Sequence, residues 1–447
     1  MIFDTMKKVE PQERLVLFFI GILLSVVALD IGSVFRQIPS VILIIICNYR
    51  FIKNKNYLNT YSCLPKESWL LWISLILLVT FSAISVSYSF TSYSIKNFID
   101  SLIYILLFTF LSVFTSKYLT IYQTILTIKR VNLLFLIVYF FLILQWILMP
   151  HRPIFCKLQT LDGISCQDIF FLFSYTNNFF VSILDTSIYV LFFICLFFIT
   201  LITTKPTKTD IVMFAANMAV LISTTKRGGM LAVFSGFILA PLLTKCTYRY
   251  FTAICLCICI ALSYLFFTGA GKYFVRENWG LIMDGNIKQA WDERGSIPSR
   301  IYTYMAYSKQ ILKQPFKGVG FGCKNIKYAL PDVEKQAGLC HGHNTLLNYA
   351  LEIGIQGAIF LLAVILSQAR ILWLALKKTE HNKLYHIFLT ASMLFMVMFW
   401  ISNTFDDAFR HQTACYYWLI TALITGFSMR VLSDNGYKTN GQDSLFM

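Results

Sequence analysis

The chain has 447 residues, of which 57% are hydrophobic and only 13% are charged. Because an ordinary soluble domain carries about 25% charged residues, this composition excludes a soluble enzyme, a disordered chain and a disulfide-rich secreted module, and it predicts an all-α polytopic membrane protein. The formal net charge of +16 does not indicate a nucleic-acid partner, and we expect none, since Lys and Arg collect in the cytoplasmic loops of membrane proteins.

Twelve apolar stretches approach the length of about 20 residues that crosses a bilayer. In chain order they are residues 14–31, 33–49, 69–88, 98–116, 131–149, 179–203, 210–225, 229–244, 249–268, 345–369, 386–402 and 411–430. The predicted organisation is nine spans in residues 1–268, a long loop over residues 269–344, and three spans with a tail in residues 345–447.

The distribution of Lys and Arg predicts the orientation. With the N-terminus in the cytoplasm, the inside segments hold 20 of these residues, the short outside segments hold 7, and the long loop, which is exempt from the positive-inside rule, holds 11. Both termini are therefore predicted to be cytoplasmic, with the long loop on the outer face. Disulfides persist in an oxidising compartment, so we expect at least one pairing among the cysteines of the outer segments, Cys156, Cys166, Cys323 and Cys340.

The long loop carries the most information. Ile301, Met305, Ser308 and Leu312 fall on one side of a helix over residues 299–312, which predicts an amphipathic helix. Pro315 is expected to end this helix. The glycines of residues 318–322 then predict a tight turn rather than a nucleotide-binding loop.

Two arginines are candidates for binding a phosphate group. Arg227 precedes two glycines at the outer end of the seventh predicted span, and Arg300 begins the amphipathic helix. The planar guanidinium donates two parallel hydrogen bonds to phosphate oxygens. The structural alternatives are a snorkelling anchor for Arg227 and an ordinary loop charge for Arg300.

A histidine lies where the long loop enters the tenth predicted span. His343 is preceded by His341 and followed by Asn344, and a histidine accepts a proton near neutral pH. The alternative is a structural residue at a span boundary. Glu352 lies nine residues further on, about 13 Å along a helix, so we expect it within the apolar layer, where an ionisable group indicates function.

Two other outer segments hold charged residues. Arg152 lies between the fifth and sixth spans, and Asp406, Asp407 and Arg410 lie between the last two. Two neighbouring carboxylates can bind a metal ion, but an acidic pair offset by Arg410 is the favoured interpretation, and no metal site is predicted.

All of these polar candidates lie on the predicted outer face, which restricts the substrate. A catalyst there has no access to ATP or nucleotide sugars, so its donor must arrive already activated and through the membrane. A lipid-linked diphosphate fits, because basic side chains would hold the diphosphate and apolar grooves would hold the lipid.

The order of these motifs resembles a known family. Arg227 with two glycines is followed by the helix of Arg300 and a P-x-x-G-x-G sequence, and then by His343-Asn344, nine residues and Gly354-x-x-Gly357. This order is similar to that of the O-antigen ligase and O-antigen polymerase superfamily of bacterial inner membranes, over about residues 170–425. We expect the two glycines of the last motif to leave room for a neighbouring helix or a lipid chain.

The resemblance implies a GT-C-type fold and a metal-independent, cofactor-free inverting glycosyltransferase with its active site on the periplasmic face. The donor would be an undecaprenyl-diphosphate-linked glycan. The acceptor would be lipid A–core for a ligase, or a second lipid-linked repeat unit for a polymerase. His343 would be the general base, and Arg227 and Arg300 would hold the diphosphate. Weaker candidates are Arg152, Asn344, Glu352, Arg410 and His341.

Three functions remain open from the sequence. The His-x-His-Asn sequence and the pair Asp406 and Arg410 resemble enterobacterial ligases, which we favour, although Lys226 stands where Ser or Thr is expected. Arg152, ten residues before Gly163, resembles a pattern of polymerase loops. A transporter or flippase is less favoured, because such folds usually contain related halves and we find no internal repeat.

Overall fold

The computed structural model describes residues 10–28, 33–53, 64–148, 183–224, 227–244, 296–322, 324–331, 342, 344–405, 409 and 411–433. This part of the chain is helical and contains no strand. Nine of its helices are long and apolar enough to cross a membrane. The prediction of an all-α polytopic membrane protein is therefore confirmed.

The helices fall into two groups along the chain. The first group is α1 (Pro11–Ala28), α2 (Ser33–Lys53), α3 (Trp69–Ser87), α4 (Tyr93–Lys117), α5 (Ile121–Leu148), α6 (Ile183–Thr203), α7 (Lys208–Ser223) and α8 (Arg227–Leu243). The second group is α9 (Ser296–Lys313), α10 (Lys324–Ala329), α11 (Thr345–Ile353), α12 (Ile355–Lys378), α13 (Lys383–Phe405) and α14 (His411–Leu432).

Helices α7 and α8, at the predicted spans 210–225 and 229–244, have 16 and 17 residues and are not among those nine, so the count of twelve spans stays a prediction. Two more predicted spans do not match a single described helix. The predicted span 249–268 lies outside the described residues. The predicted span 345–369 is wrong as a single helix, because the chain breaks at Gly354, whose φ is 102°. A right-handed helix cannot pass through that conformation. The amide of the next residue does not continue the helical hydrogen-bond pattern either, since Ile355 N donates to the Pro315 carbonyl at 2.7 Å.

Helix α14 forms the centre of the bundle, and it packs most closely against α4. A Cβ on Gly426 would lie 2.6 Å from the Ser112 carbonyl oxygen, so the glycine permits this close approach. At the end of α4, Arg430 of α14 donates to the carbonyl oxygens of Ser116 at 2.8 Å and Leu119 at 2.6 Å. The Ser116 carbonyl lies in the last turn of α4 and the Leu119 carbonyl just beyond it, where helical amides no longer serve as donors, so the arginine satisfies them.

Buried polar pairs fix other helices of the bundle. Asn132 of α5 and Asn217 of α7 exchange two side-chain hydrogen bonds of 2.9 Å. The Tyr417 hydroxyl of α14 donates to Gln368 Oε1 of α12 at 2.6 Å. Polar groups in an apolar layer need such partners, and each pair therefore fixes the rotation of two helices relative to each other.

Helix α9 confirms the predicted amphipathic helix and orients it. Thr303, Tyr307 and Ile311 are buried on the side that packs against the protein. The predicted apolar side faces the other way, since Met305 and Leu312 are exposed. Periodicity located this helix, but it did not tell which side contacts the protein.

Candidate functional site

The described residues include only some of the predicted site. Outside them lie His341, His343, Arg152, Arg410, Asp406 and Asp407. The four cysteines among which we predicted a disulfide also lie outside them. Arg227 is the first residue of α8, and its side chain lies outside the description. The geometry therefore comes from Arg300, Asn344, Glu352 and the residues on both sides of His343.

Asn344 begins the helix that follows His343. Its φ and ψ are −152° and 116°, and its side-chain oxygen accepts a hydrogen bond from Leu347 N at 3.0 Å. This is the geometry of a helix N-cap, which satisfies one amide of the first turn. In the sequence motif His-Asn, the asparagine therefore makes structural contacts, and it caps α11, which begins at Thr345, two residues after His343.

Gly342 is held on the other side of His343. Its amide donates to Asn348 Oδ1 at 2.8 Å, and the Asn348 side chain is buried. A Cβ on Gly342 would lie 2.7 Å from a ring carbon of Tyr307. The backbone on both sides of His343 is thus fixed, by Asn348 and Tyr307 before it and by the Asn344 cap after it.

The helix that carries Arg300 meets this segment. Tyr307, which contacts Gly342, lies two turns after Arg300 on the same side of α9, about 10 Å along the helix. Arg300 is half-buried on this side. The structure therefore brings the helix of Arg300 to the segment of His343, although their sequence positions are 43 residues apart.

A third element reaches the same place. The Thr404 carbonyl, at the end of α13, accepts hydrogen bonds from the Tyr304 hydroxyl of α9 at 3.3 Å and from Asn344 Nδ2 at 3.5 Å. Thr345 Oγ1 donates to Asn403 Oδ1 at 2.9 Å. Helix α9, the start of α11 and the end of α13 therefore converge, and α13 ends next to the segment that contains Asp406 and Arg410.

The glycines of residues 318–322 form the predicted tight turn, and the turn packs against the break at Gly354. Val319 N donates to the Leu351 carbonyl at 2.8 Å and Gly320 N to the Glu352 carbonyl at 3.0 Å. A Cβ on Gly318 would lie 2.6 Å from the Glu352 carbonyl oxygen. A Cβ on Gly354 would lie 2.8 Å from the Phe316 carbonyl oxygen. The room that we expected Gly354 to leave for a helix or a lipid chain is therefore occupied by this turn.

Glu352 is buried, as expected, and its carboxylate contacts the turn. Gly322 N donates to Glu352 Oε2 at 2.9 Å. Glu352 also lines a cavity of about 60 Å³, whose wall includes Asp100, Tyr349 and Trp418. Asp100 Oδ1 accepts a hydrogen bond from Gln37 Nε2.

Sequence reasoning missed several residues of this site. Asp100 is an acidic residue inside a predicted span, so the rule that singled out Glu352 applies to it equally. Asn348 and Tyr307 gave no comparable signal, because their importance depends on a contact with Gly342 that appears only in the folded chain.

The described residues bring the helix of Arg300 to the residues on both sides of His343. A general base must be positioned within hydrogen-bond reach of the proton that it removes, and the segment of His343 is fixed on both sides. Arginine binds phosphate by paired hydrogen bonds, and Arg300 lies on a helix that is packed against this segment.

Comparison with known families matches residues 209–362 to a family described as O-antigen ligase. The matched range includes Arg227, Arg300, the glycine turn, His343 and the break at Gly354. A search of curated proteins finds no match to the chain.

Proposed function

The domain at residues 209–362 identifies the chain as a member of the O-antigen ligase and polymerase superfamily, and from this premise we propose that the protein is an O-antigen ligase. It transfers an O-antigen glycan from undecaprenyl diphosphate to lipid A–core in the bacterial inner membrane. The observation that carries the proposal is the convergence of α9, α11 and α13 within and beside this domain, which joins the helix of Arg300 to the segment of His343.

The proposed reaction is an inverting displacement. The acceptor hydroxyl oxygen attacks the anomeric carbon of the donor, and its proton passes to the imidazole of His343. The bond between the anomeric carbon and the diphosphate oxygen breaks, and its electron pair leaves with undecaprenyl diphosphate. Arg227 and Arg300 bind the diphosphate and stabilise the negative charge that develops on it, so the step uses no metal ion and no cofactor.

Glu352 has a supporting role in this proposal. Its carboxylate accepts a hydrogen bond from Gly322 N, and its carbonyl accepts one from Gly320 N. It therefore fixes the glycine turn against α11, whose first residue follows Asn344. Residues that hold a catalytic segment at its correct position are as necessary as the reacting groups.

The proposal requires that the site lies on the periplasmic face. We expect alkaline phosphatase fused near Asn286 to be active and the same enzyme fused near Asn382 to be inactive, because the Lys and Arg distribution puts these positions on opposite sides of the membrane. Activity only near Asn382 would place the long loop in the cytoplasm and would contradict a lipid-linked donor from the periplasm.

A gene deletion separates the ligase from its alternative, an O-antigen polymerase. Loss of the ligase leaves lipid A–core without O-chain on a silver-stained lipopolysaccharide gel, while lipid-linked polymer accumulates. Loss of a polymerase leaves lipid A–core with a single repeat unit. A deletion strain with normal O-chains would exclude both.

A further inference from the structure

The outward side of α9 and the turn after it expose large apolar side chains. Met305, Leu312 and Phe316 are 59%, 77% and 76% exposed. We call these three residues the outward stripe. Within α9, Met305 and Leu312 lie on the side away from Thr303 and Tyr307, which are buried against the protein. Apolar side chains grouped in this way mark a surface that binds an apolar partner.

Lysines flank the outward stripe. Lys309, Lys313 and Lys317 are all exposed and recur every four residues, so Lys309 and Lys313 lie along one edge of the helical stripe and Lys317 follows Phe316. A helix with apolar residues on one side and lysines beside them is typical of segments that lie in the interface of a membrane. Lysine can bury its aliphatic part while its ammonium group reaches a headgroup.

The outward stripe is joined to the outer surface of the bundle. Gln356 Nε2, in the first turn of α12, donates to the Phe316 carbonyl at 2.5 Å. Further along α12, Ile359 and Leu366 are 56% and 59% exposed on a helix that is apolar enough to span the membrane. Phe316 therefore lies at the upper end of a surface that faces lipid.

The other side of the turn contacts the end of a second span. Tyr88, the residue directly after α3, donates from its hydroxyl to the Lys317 carbonyl, and Lys317 Nζ lies 5.5 Å from the centre of the Tyr88 ring. Tyrosine is enriched where spans meet the headgroup layer. Lys317 is thus at the height at which phosphate groups of the bilayer are expected, and Lys313 and Lys309 precede it along the same segment.

We propose that the outward stripe and Lys309, Lys313 and Lys317 form a binding surface for anionic phospholipid on the leaflet that α9 faces. Met305, Leu312 and Phe316 enter the acyl layer, and the ammonium groups contact headgroup phosphates. This surface goes beyond glycan transfer, and it exists whichever substrate the site uses.

The binding surface is mechanically connected to the site. The turn that begins at Pro315 is bonded to α12 through Ile355 N and to α11 through the Leu351 and Glu352 carbonyls. Lipid bound at Phe316 therefore fixes the height of α11 relative to the membrane. We expect transfer by the full-length protein to be faster in bilayers that contain anionic lipid.

The test uses the full-length protein with photoreactive p-benzoylphenylalanine in place of Leu312. The protein is reconstituted in nanodiscs of phosphatidylcholine alone or with an equal part of phosphatidylglycerol, and the cross-linked products are identified by mass spectrometry. We expect cross-links to lipid, with phosphatidylglycerol enriched on the order of tenfold in the mixed discs. High salt should reduce the enrichment. The matched control carries the probe in place of Leu366 and should cross-link to both lipids equally.

A triple variant tests the charges separately from the apolar stripe. Lys309→Glu, Lys313→Glu and Lys317→Glu together should remove the phosphatidylglycerol enrichment at position 312 while the cross-link to lipid remains. Equal enrichment in the triple variant would refute the role of the lysines. Cross-links to a protein segment or a second copy instead of lipid would overturn the proposal, even if glycan transfer is normal.

Discussion

Gly342→Ala is the substitution whose effect follows most directly from the geometry. The new Cβ would lie 2.7 and 2.9 Å from two ring carbons of Tyr307 and 3.0 Å from Asn348 Oδ1. Ordinary carbon contacts begin near 3.4 Å, so the backbone beside His343 or the Tyr307 ring must move by about 0.5–1 Å. A displacement of about 1 Å at a reacting group can cost a hundredfold in rate, and we expect a loss of that order.

The assay is glycan transfer by membranes that contain matched amounts of protein, with Gly21→Ala as the control. A Cβ on Gly21 would lie 3.6 Å from the nearest atom, a Val131 methyl carbon, which is an ordinary contact. The double variant with Tyr307→Leu removes the obstructing ring, so Gly342→Ala should cost less in that background. Wild-type transfer by Gly342→Ala, or an undiminished loss beside Tyr307→Leu, would refute the positioning of His343 by this contact.

Three further predictions address the proposed chemistry. His343→Ala should lower transfer by about 10²–10⁴ because a general base is lost, with a smaller loss for His341→Ala, and near-normal complementation would remove His343 from the mechanism. Arg227→Lys and Arg300→Lys should each fail to restore transfer at matched expression, because lysine cannot make the planar paired contact with phosphate; full activity in both would return the two residues to structural roles. Glu352→Gln should retain transfer because its amide oxygen still accepts from Gly322 N, whereas Glu352→Leu should lose it; an inactive Gln variant of normal thermal stability would indicate that the carboxylate itself takes part.

The spans were predictable because bilayer thickness imposes a long apolar run that local sequence reveals. The break at Gly354 was not, since hydropathy continues across it from α11 into α12. Its cause lies elsewhere in the chain, where Pro315 supplies the carbonyl that accepts from Ile355 N. A glycine inside an apolar run is equally consistent with close helix packing and with a break, and only the partner segment decides between them.

The candidate site shows the same difference between features that the local sequence reveals and features that depend on a distant segment. Residues with distinctive chemistry, such as Glu352, could be selected from the sequence because an ionisable group in an apolar run is costly. Asn348 could not, since a polar residue in a short helix usually has no special role, and its contact with Gly342 requires the fold. Sequence patterns therefore singled out residues of distinctive chemistry, and they missed residues such as Asn348 whose contacts appear only in the folded chain.

The break at Gly354 also explains why a glycine-rich turn belongs to this site. A continuous helix from Thr345 would satisfy the carbonyls of Leu351 and Glu352 internally and would leave the turn without partners. Because the helix stops, these carbonyls accept hydrogen bonds from Val319 and Gly320 instead. The turn follows directly from α9, so the break couples the helix of Arg300 to the helix that begins beside His343. Segments that are distant in sequence, the helix of Arg300 and the helix capped by Asn344, are thereby joined by one connected set of backbone hydrogen bonds.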